Sequence, residues 1–381
     1  MKKYLAIVMA AVLAVTCFAG CGKTETANDE FVIGGIGPIT GPAAAYGNAV
    51  MNGAKLAVEE INAAGGINGI KVKFDFQDDE HDAEKAVNAY NTLLDNNMQV
   101  LMGTVTSTPC VAVAAKAAED NMFLLTPSGS AVDCIASDNA FRICFSDPDQ
   151  GIASAQYIAQ NDVAKKVAVI YNSSDVYSDG IYQKFAAEAK EQGLEIATVQ
   201  AFTKDSATDF TVQIQKVKES GAELLFLPIY YQEAALILTQ ANKAGLDIKV
   251  FGCDGLDGVI DQLGDNAQFA EGVMLLTPFA ADAQDEKTKT FTAAYQAAYN
   301  EVPTQFAADG YDAIYTIKAA MEKAGIDDAS ISASDLCEAL KAAMVEIEVD
   351  GVTGAMKWSA SGEPMKEPKA MVIKDGSYKA M

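Results

Sequence analysis

The stretch "FVIGGIGPITGPAAAYGNAVMNGAKLAVEEINAAGGINGIKVKFDFQDD", Phe31 to Asp79, decides the reading of this chain. Its first seven residues are apolar or glycine and read as a strand. From about Tyr46 the apolar residues recur at helical spacing until Gly65-Gly66 stops them. Lys71 to Asp79 then alternates apolar and polar, as a half-buried strand does. Strand, helix and strand in succession make a βαβ unit, and such units build parallel sheets.

Gly35, Gly37 and Gly41 sit between the first strand and the helix as a GxGxxxG. A glycine-rich turn there can cradle a phosphate. Pro38 and Pro42 argue against it, because each removes a backbone N–H. The helix also opens after these residues and not on a glycine, as a dinucleotide loop requires. The loop is read instead as the end of a strand that presents Tyr46.

The alternation continues outward. A helix opens at Asp82, Gln99 to Gly103 is a short apolar strand, "TPCVAVAAKAAEDNM" is a helix and "FLLTPS" a strand. The order resumes with "KKVAVIYN", a helix over 180–192, "EIATVQAF", a helix over 210–220, and "AELLFLPIYY" as a strand. A helix over 233–243, "DIKVFGCDG" and "EGVMLLTPF" follow, then helices over 286–299 and 307–324. The end, "GAMKWSASGEPMKEPKAMVIKDG", reads as hairpin-rich β structure. The fold class is α/β, with two similar units, each carrying a parallel central sheet.

The 381 residues are 50% hydrophobic, enough for two core-bearing lobes. The formal net charge is −24 and Arg142 is the only arginine. So acidic a chain has no footprint for nucleic acid or anionic membrane, and it lacks the guanidinium forks that grip phosphate. No GxSxG, HExxH or Cys/His pairing supports an enzyme. His81 in "DDEHD" is the only histidine; this acidic turn before a helix reads as a solvated cap, and neither metal nor cofactor is expected.

Lys2-Lys3 followed by an apolar run to Phe18 fits a signal peptide over 1–20, too short to span a membrane. The run ends in "FAGC", which resembles the bacterial lipobox, although Phe18 stands where leucine is usual. That resemblance implies cleavage before Cys21, lipidation of Cys21, and a tether over 21–30. Cys110, Cys134, Cys144, Cys253 and Cys337 then remain. Cys110–Cys134 or Cys134–Cys144 can pair in an exported chain, or all five can be buried thiols.

"GPITGPAAAYGNAVMNGAKLAVEEINAAGGINGIKVKFDFQDDEHD" resembles the leucine/isoleucine/valine-binding proteins of bacterial ABC importers. "GTVTSTP", "LLTPSGSA", "FRICFSDPDQG", "DVYSDG", "PIYYQEA" and "GCDGLDG" continue the resemblance in the family's order, from Phe31 to the C-terminus. It implies a type I periplasmic binding fold: two Rossmann-like lobes joined by three hinge crossings, lobe 1 over 31–147 and 278–354, lobe 2 over 148–277 and 355–381. The implied function is an extracytoplasmic, lipid-anchored receptor that captures a branched-chain or other small amino acid, and the chain is expected to be a monomer. It would deliver that ligand to an ABC permease and its ATPase. The alternative is a sensor of the same fold for amides, urea or aromatic acids, coupled to a signalling partner.

A free amino acid brings a carboxylate and an ammonium, and a cleft must meet both. Thr106 and Ser107, and then Ser128, Gly129 and Ser130, lie in successive βα turns, where parallel sheets bind ligands and helix N-termini favour anions. The resemblance maps the carboxylate onto Ser107 and Ser130, with Ser128 and Gly129 offering backbone. It maps the ammonium onto Asp254, where the family often carries the longer glutamate, with Asp257 a local rival. Tyr46, Tyr177 and Tyr230 are expected to line the cleft; Tyr231 can replace Tyr230, since strand alternation lets only one face it. Asp147, at the first hinge crossing, either contacts ligand or braces the hinge. The family's disulfide between the "DDEHD" and "VTS" turns has no cysteines here, so that staple is expected to be lost.

Overall fold

A computed structural model describes residues 29–366 and 368–381. The expected signal peptide, Cys21 and most of the tether lie outside these residues. Two sheets organise the chain. The first is wholly parallel, in the order β2-β1-β3-β4-β5, from β1 (Glu30–Gly37), β2 (Lys71–Asp78), β3 (Val100–Gly103), β4 (Leu124–Thr126) and β5 (Ala140–Arg142). The short inner strands VLMG and LLT are buried at every position, as strands covered by helices on both faces must be. Three helices cross over between them: α1 (Ala44–Ala63), α2 (Ala83–Asp95) and α3 (Ser107–Glu119).

The chain leaves this sheet after β5 through α4 (Asp147–Gln160). It then builds β6 (Lys166–Asn172), α5 (Val176–Glu191), β7 (Glu195–Phe202), α6 (Thr211–Ser220), β8 (Leu224–Leu227), α7 (Tyr231–Lys243), β9 (Lys249–Gly252), the short α8 (Val259–Leu263) and β10 (Met274–Thr277). After β10 it returns to the first lobe as α9 (Glu286–Tyr299), α10 (Gln305–Lys323), α11 (Ala333–Met344) and the hairpin β11 (Glu348–Gly351)–β12 (Gly354–Lys357). A third crossing carries it back to β13 (Lys369–Lys374) and β14 (Ser377–Ala380), which extend the second sheet antiparallel from β10. The second sheet thus runs β14-β13-β10-β9-β8-β6-β7.

The returning helix α10 is locked onto α1 by two glycines. A Cβ at Gly53 would lie 1.9 Å from the Ala307 carbonyl oxygen, and one at Gly310 would lie 2.3 Å from that of Val50. Only glycine permits this approach. The third crossing also stays close to the first lobe for longer than the sequence suggests. The Trp358 indole donates to the Arg142 carbonyl at 2.7 Å, and the Arg142 N–H donates to that of Gly362 at 3.2 Å.

Four elements depart from the sequence reading. β5 has only three residues, one of them a buried arginine, and shows no apolar run. α4 opens on Asp147-Pro148-Asp149-Gln150-Gly151, which resembles a turn, yet Ser146 caps it by accepting from the Asp149 N–H and Pro148 suits a first turn. α11 follows a Ser332 cap that the pattern does not single out. The expected strand through Tyr230-Tyr231 ends at Leu227, before Pro228. Strand alternation therefore does not govern these tyrosines: Tyr230 is the N-cap of α7 and Tyr231 its first residue.

Candidate functional site

The carboxyl ends of β3 and β4 in one lobe face those of β6, β8 and β9 in the other, and the expected site residues gather at this junction. On the first lobe, Thr106 is the N-cap of α3 but makes no side-chain capping bond. Its Oγ1 lies 2.9 Å from Nδ1 of His81. Ser107 opens α3, and its Oγ accepts the Ala131 N–H at 3.2 Å, tying the loop after β3 to the loop after β4.

The loop Ser128–Ala131 is built from inside. Ser128 Oγ donates to the Val105 carbonyl at 2.7 Å, and the Gly129 N–H donates to Thr126 Oγ1 at 2.7 Å. The Ser128 hydroxyl and the Gly129 N–H thereby brace the loop from within, while the Ser128 backbone N–H, which the resemblance assigns to ligand, is in neither bond. A Cβ on Gly129 would meet Thr126 Oγ1 at 2.7 Å and Cys110 Sγ at 2.8 Å. Beneath the loop, the fully buried Arg142 donates to the carbonyls of Gly129 (3.2 Å), Ser130 and Ala131 (3.1 Å). Its guanidinium also lies 3.2 Å from Oε2 of Glu363. A fixed cation therefore turns three carbonyls away from the junction. Ser130 Oγ is buried and has no partner among the described residues.

The second lobe and the first crossing into it present acids. Asp254 Oδ1 accepts from the Tyr177 hydroxyl at 2.7 Å and Oδ2 from the Gln150 amide at 3.1 Å, while its N–H donates to Gln150 Oε1 at 3.2 Å. Burial pushes its pKa up to about 6, against the opposing pull of these hydrogen bonds. Asp147 stands at the first turn of α4, anchored by its N–H to the Ser130 carbonyl at 2.9 Å. It is 1% exposed, and neither carboxylate oxygen has a hydrogen-bond partner among the described residues. Burial pushes its pKa well above the carboxylate range; the nearby Ser130 hydroxyl, although outside hydrogen-bonding geometry, and Arg142 oppose this, and the charge of Asp254 adds to it. Asp175 caps α5 by accepting the Ser178 N–H at 3.2 Å, and burial raises its pKa too. These three carboxylates all bear on Tyr230.

Aromatic rings join the lobes. Tyr230 stacks on Tyr177 at 4.7 Å and meets Tyr46 at 5.5 Å, steeply tilted. The Tyr46 hydroxyl donates to the Gly255 carbonyl at 2.5 Å and accepts the Tyr231 N–H at 3.0 Å. The Tyr231 hydroxyl in turn accepts the Ala45 N–H at 3.3 Å. Both Tyr230 and Tyr231 thus reach the junction, since the chain turns into a helix between them. Asp257, the rival acid, accepts the Gln305 N–H through Oδ2 at 2.9 Å, while its Oδ1 is buried with no partner among the described residues.

Sequence reading misses Gln150, Arg142, Gln305, Asp175 and His81. Only Asp175 leaves a local signal, as a capping acid just before Tyr177. The turn at His81 is not solvated as expected. Glu80 and His81 take left-handed φ of 50° and 59°, and the His81 N–H is held by Asp79 Oδ1 at 2.8 Å, which aims the ring inward. The disulfide is absent as expected, since neither turn carries a cysteine, and the His81–Thr106 hydrogen bond links the two turns instead. The cysteines Cys110, Cys134, Cys144, Cys253 and Cys337 are all free buried thiols, so neither candidate disulfide forms. No group of acidic, histidine or cysteine side chains among the described residues is arranged to hold a metal ion.

Two parallel-sheet lobes whose strand ends converge on one buried polar junction define a two-lobed solute-binding fold. The chain belongs to the periplasmic binding protein family, which it matches over residues 30–375. It is 30% identical to Leu/Ile/Val-binding protein homolog 3 of Brucella melitensis, covering 92% of this chain and 93% of that one. It is 29% identical to the leucine-, isoleucine-, valine-, threonine- and alanine-binding protein of Pseudomonas aeruginosa, over 83% of this chain and 84% of the relative. The crystal structure of the branched-chain amino acid transporter substrate-binding protein LivJ from Streptococcus pneumoniae, in complex with isoleucine, superposes with a TM-score of 0.84 at 29% identity. It covers 92% of this chain and 98% of that one. No described helix is long and apolar enough to cross a membrane.

Proposed function

We propose that this chain captures a free amino acid between its lobes and delivers it to an ABC importer. The observation that carries the reading is the opposed polarity of the two cleft walls. One wall offers the N-terminus of α3 at Ser107 and the unpartnered hydroxyl of Ser130, a setting for a carboxylate. The other offers Asp254 and the bare carboxylate of Asp147, a setting for an ammonium. A zwitterion satisfies both at once. Tyr46, Tyr177 and Tyr230 enclose it, and Thr106, Ser128 and Gly129 hold the loops that shape its carboxylate end.

The names of the relatives favour a branched-chain or other small amino acid. Asp254 is one methylene shorter than glutamate, which leaves more room at the ammonium end. The lobes are proposed to divide as 31–147 with 278–354, and 148–277 with 355–381. The bonds from Trp358 and Gly362 to Arg142 support moving the third crossing towards Lys369. The mature protein is proposed to be a non-catalytic monomer, anchored by lipid at Cys21 outside the cell membrane and docking closed onto a permease with its ATPase. Calorimetric titration with a panel of the common amino acids tests the ligand class: micromolar or tighter binding of at least one is expected, and no heat from any of them with folded protein would overturn it.

A further inference from the structure

The single histidine belongs to neither wall, yet it touches both. His81 lies on the turn before α2 in the first lobe. Its Nδ1 meets Thr106 Oγ1 at 2.9 Å, next to Ser107. Its Nε2 lies 3.9 Å from Oδ2 of Asp175 in the second lobe, and its ring stands edge-on to Tyr230 at 5.6 Å. Thr108 Oγ1, also in the first lobe, donates to the same Asp175 oxygen at 3.3 Å. The His81 side chain is 15% exposed and that of Asp175 is 9% exposed. Asp175 caps the helix that carries Tyr177, and Tyr177 holds Asp254. One imidazole therefore connects the carboxylate-side loop, the tyrosine stack and the helix behind the ammonium-side acid.

We propose that His81 is an interlobe positioning residue that holds the Ser107 loop against Asp175 and Tyr230 in the closed form, and so sets ligand affinity through closure. The proposal rests on the amino-acid reading for its affinity test but not for its shape test. With Thr106 donating to Nδ1, a neutral ring presents Nε2–H towards Asp175, and the contact needs no added proton. Opening would separate Asp175 and Tyr230 from the ring and return it to water.

The sign of the pH effect follows. In the closed form burial lowers the His81 pKa; Asp175 and Asp82 oppose this and Lys204 adds to it. In the open form the ring regains an ordinary value near 6.5. The closed form binds fewer protons at this site, so His81 favours closure above about pH 6.5 and loses that contribution as pH falls. Asp175, raised by burial, acts in the opposite sense at lower pH, and Glu233 adds its charge beside Asp175. Asp147, Asp254 and Asp79, the last raised to about 7 by burial, titrate as well but remain in a His81 variant; Asp175 loses the opposing pull of the ring there, so the difference between two profiles reads the His81–Asp175 pair.

The experiment compares wild type with His81→Ala and His81→Gln. Calorimetry from pH 5.5 to 8 with the amino acid that binds wild type is expected to show about tenfold weaker binding for His81→Ala at pH 8, a common size for such coupling. Partial recovery is expected in His81→Gln, whose amide can still meet Thr106. The wild-type advantage should shrink towards pH 5.5. Small-angle scattering without ligand should show a larger radius of gyration for His81→Ala than for wild type at pH 8. Equal affinities and parallel pH profiles would overturn the proposal, as would equal radii. If no amino acid binds wild type, the ligand reading fails, and scattering alone still decides the role of His81.

Discussion

Asp254→Asn should move affinity and stability in opposite directions, and the geometry says by how much. The substitution keeps the size of the side chain but removes its charge and one acceptor. Asp254 accepts from Tyr177 and from Gln150, so the new amide must turn its NH2 towards one of these donors and lose that bond. The lost bond costs about 1 kcal/mol. Against this, burial has raised the carboxylate from 3.8 to about 6. At about 1.4 kcal/mol per pH unit, holding it charged at pH 8 costs roughly 3 kcal/mol of folding stability. The sign is that of a raised carboxylate: its contribution is favourable in the protonated form and is lost as pH rises from about 4 through 6. The ligand-free variant should therefore be about 1–2 kcal/mol more stable than wild type at pH 8, and the gain should vanish near pH 4.

Ligand binding should suffer by contrast. A desolvated ammonium facing an amide loses a charge-assisted bond, and unpaired buried charge costs about 3–5 kcal/mol. A loss of roughly 10² to 4×10³-fold in affinity is expected. Thermal unfolding across pH without ligand, with calorimetry at pH 8, reads both quantities. A variant that loses stability and affinity together would show Asp254 to be a structural brace for Tyr177 and Gln150. A variant that keeps its affinity would place the ammonium elsewhere, with Asp147 the remaining acid.

Three further outcomes are expected. Arg142→Lys, which replaces a buried fork on the carbonyls of Gly129, Ser130 and Ala131, should destabilise the protein by about 3–5 kcal/mol in denaturant titration, and a loss under 1 kcal/mol would contradict the brace. Tyr46→Phe should weaken ligand binding about tenfold, through the two hydroxyl bonds that tie Tyr46 to Gly255 and Tyr231, while changing the melting temperature little; unchanged affinity would remove it from closure. Asp147, buried without a partner and raised well above the carboxylate range, should release a proton when an ammonium arrives. The binding enthalpy at pH 7.5 should then differ between phosphate and Tris buffers, and Asp147→Asn should abolish the difference; identical enthalpies for wild type would refute the contact.

What the sequence makes legible follows from how local each signal is. The βα alternation is a periodicity of neighbouring residues, so both lobes, their strand order along the chain and the long helix Glu286–Tyr299 can be read directly. β5 escapes because three residues carry no period, and its Arg142 looks like a surface residue until the loop above it is in place. Tyr230-Tyr231 mislead because a strand pattern runs on past Pro228, where the backbone already turns into a helix. At the site, residue types announce the hydroxyl loops and the acids. Gln150 does not announce itself, because its partner Asp254 is 104 residues away and neither spacing nor composition joins them. His81 is concealed by its acidic neighbours, which suggest a solvated cap; two left-handed residues turn the ring inward instead.

Under the proposed function, Tyr46 makes closure and capture one event. Its place after the glycine turn points to a ring that faces ligand, and its ring does meet Tyr230. Its hydroxyl, however, donates to the carbonyl of Gly255, in the same short turn, Asp254–Leu256, that begins with Asp254. Gln305 of α10 reaches the same turn, donating to the Asp254 carbonyl at 2.8 Å. These two interlobe bonds and the proposed ammonium partner thus share two consecutive residues, Asp254 and Gly255. A ligand shifts an opening equilibrium only as far as it prefers one state. An ammonium on Asp254 fixes the turn that Tyr46 and Gln305 must grip, so its preference for the closed state is built into the backbone of that turn. A ligand that fills the cleft without engaging Asp254 should bind and leave the lobes free to open.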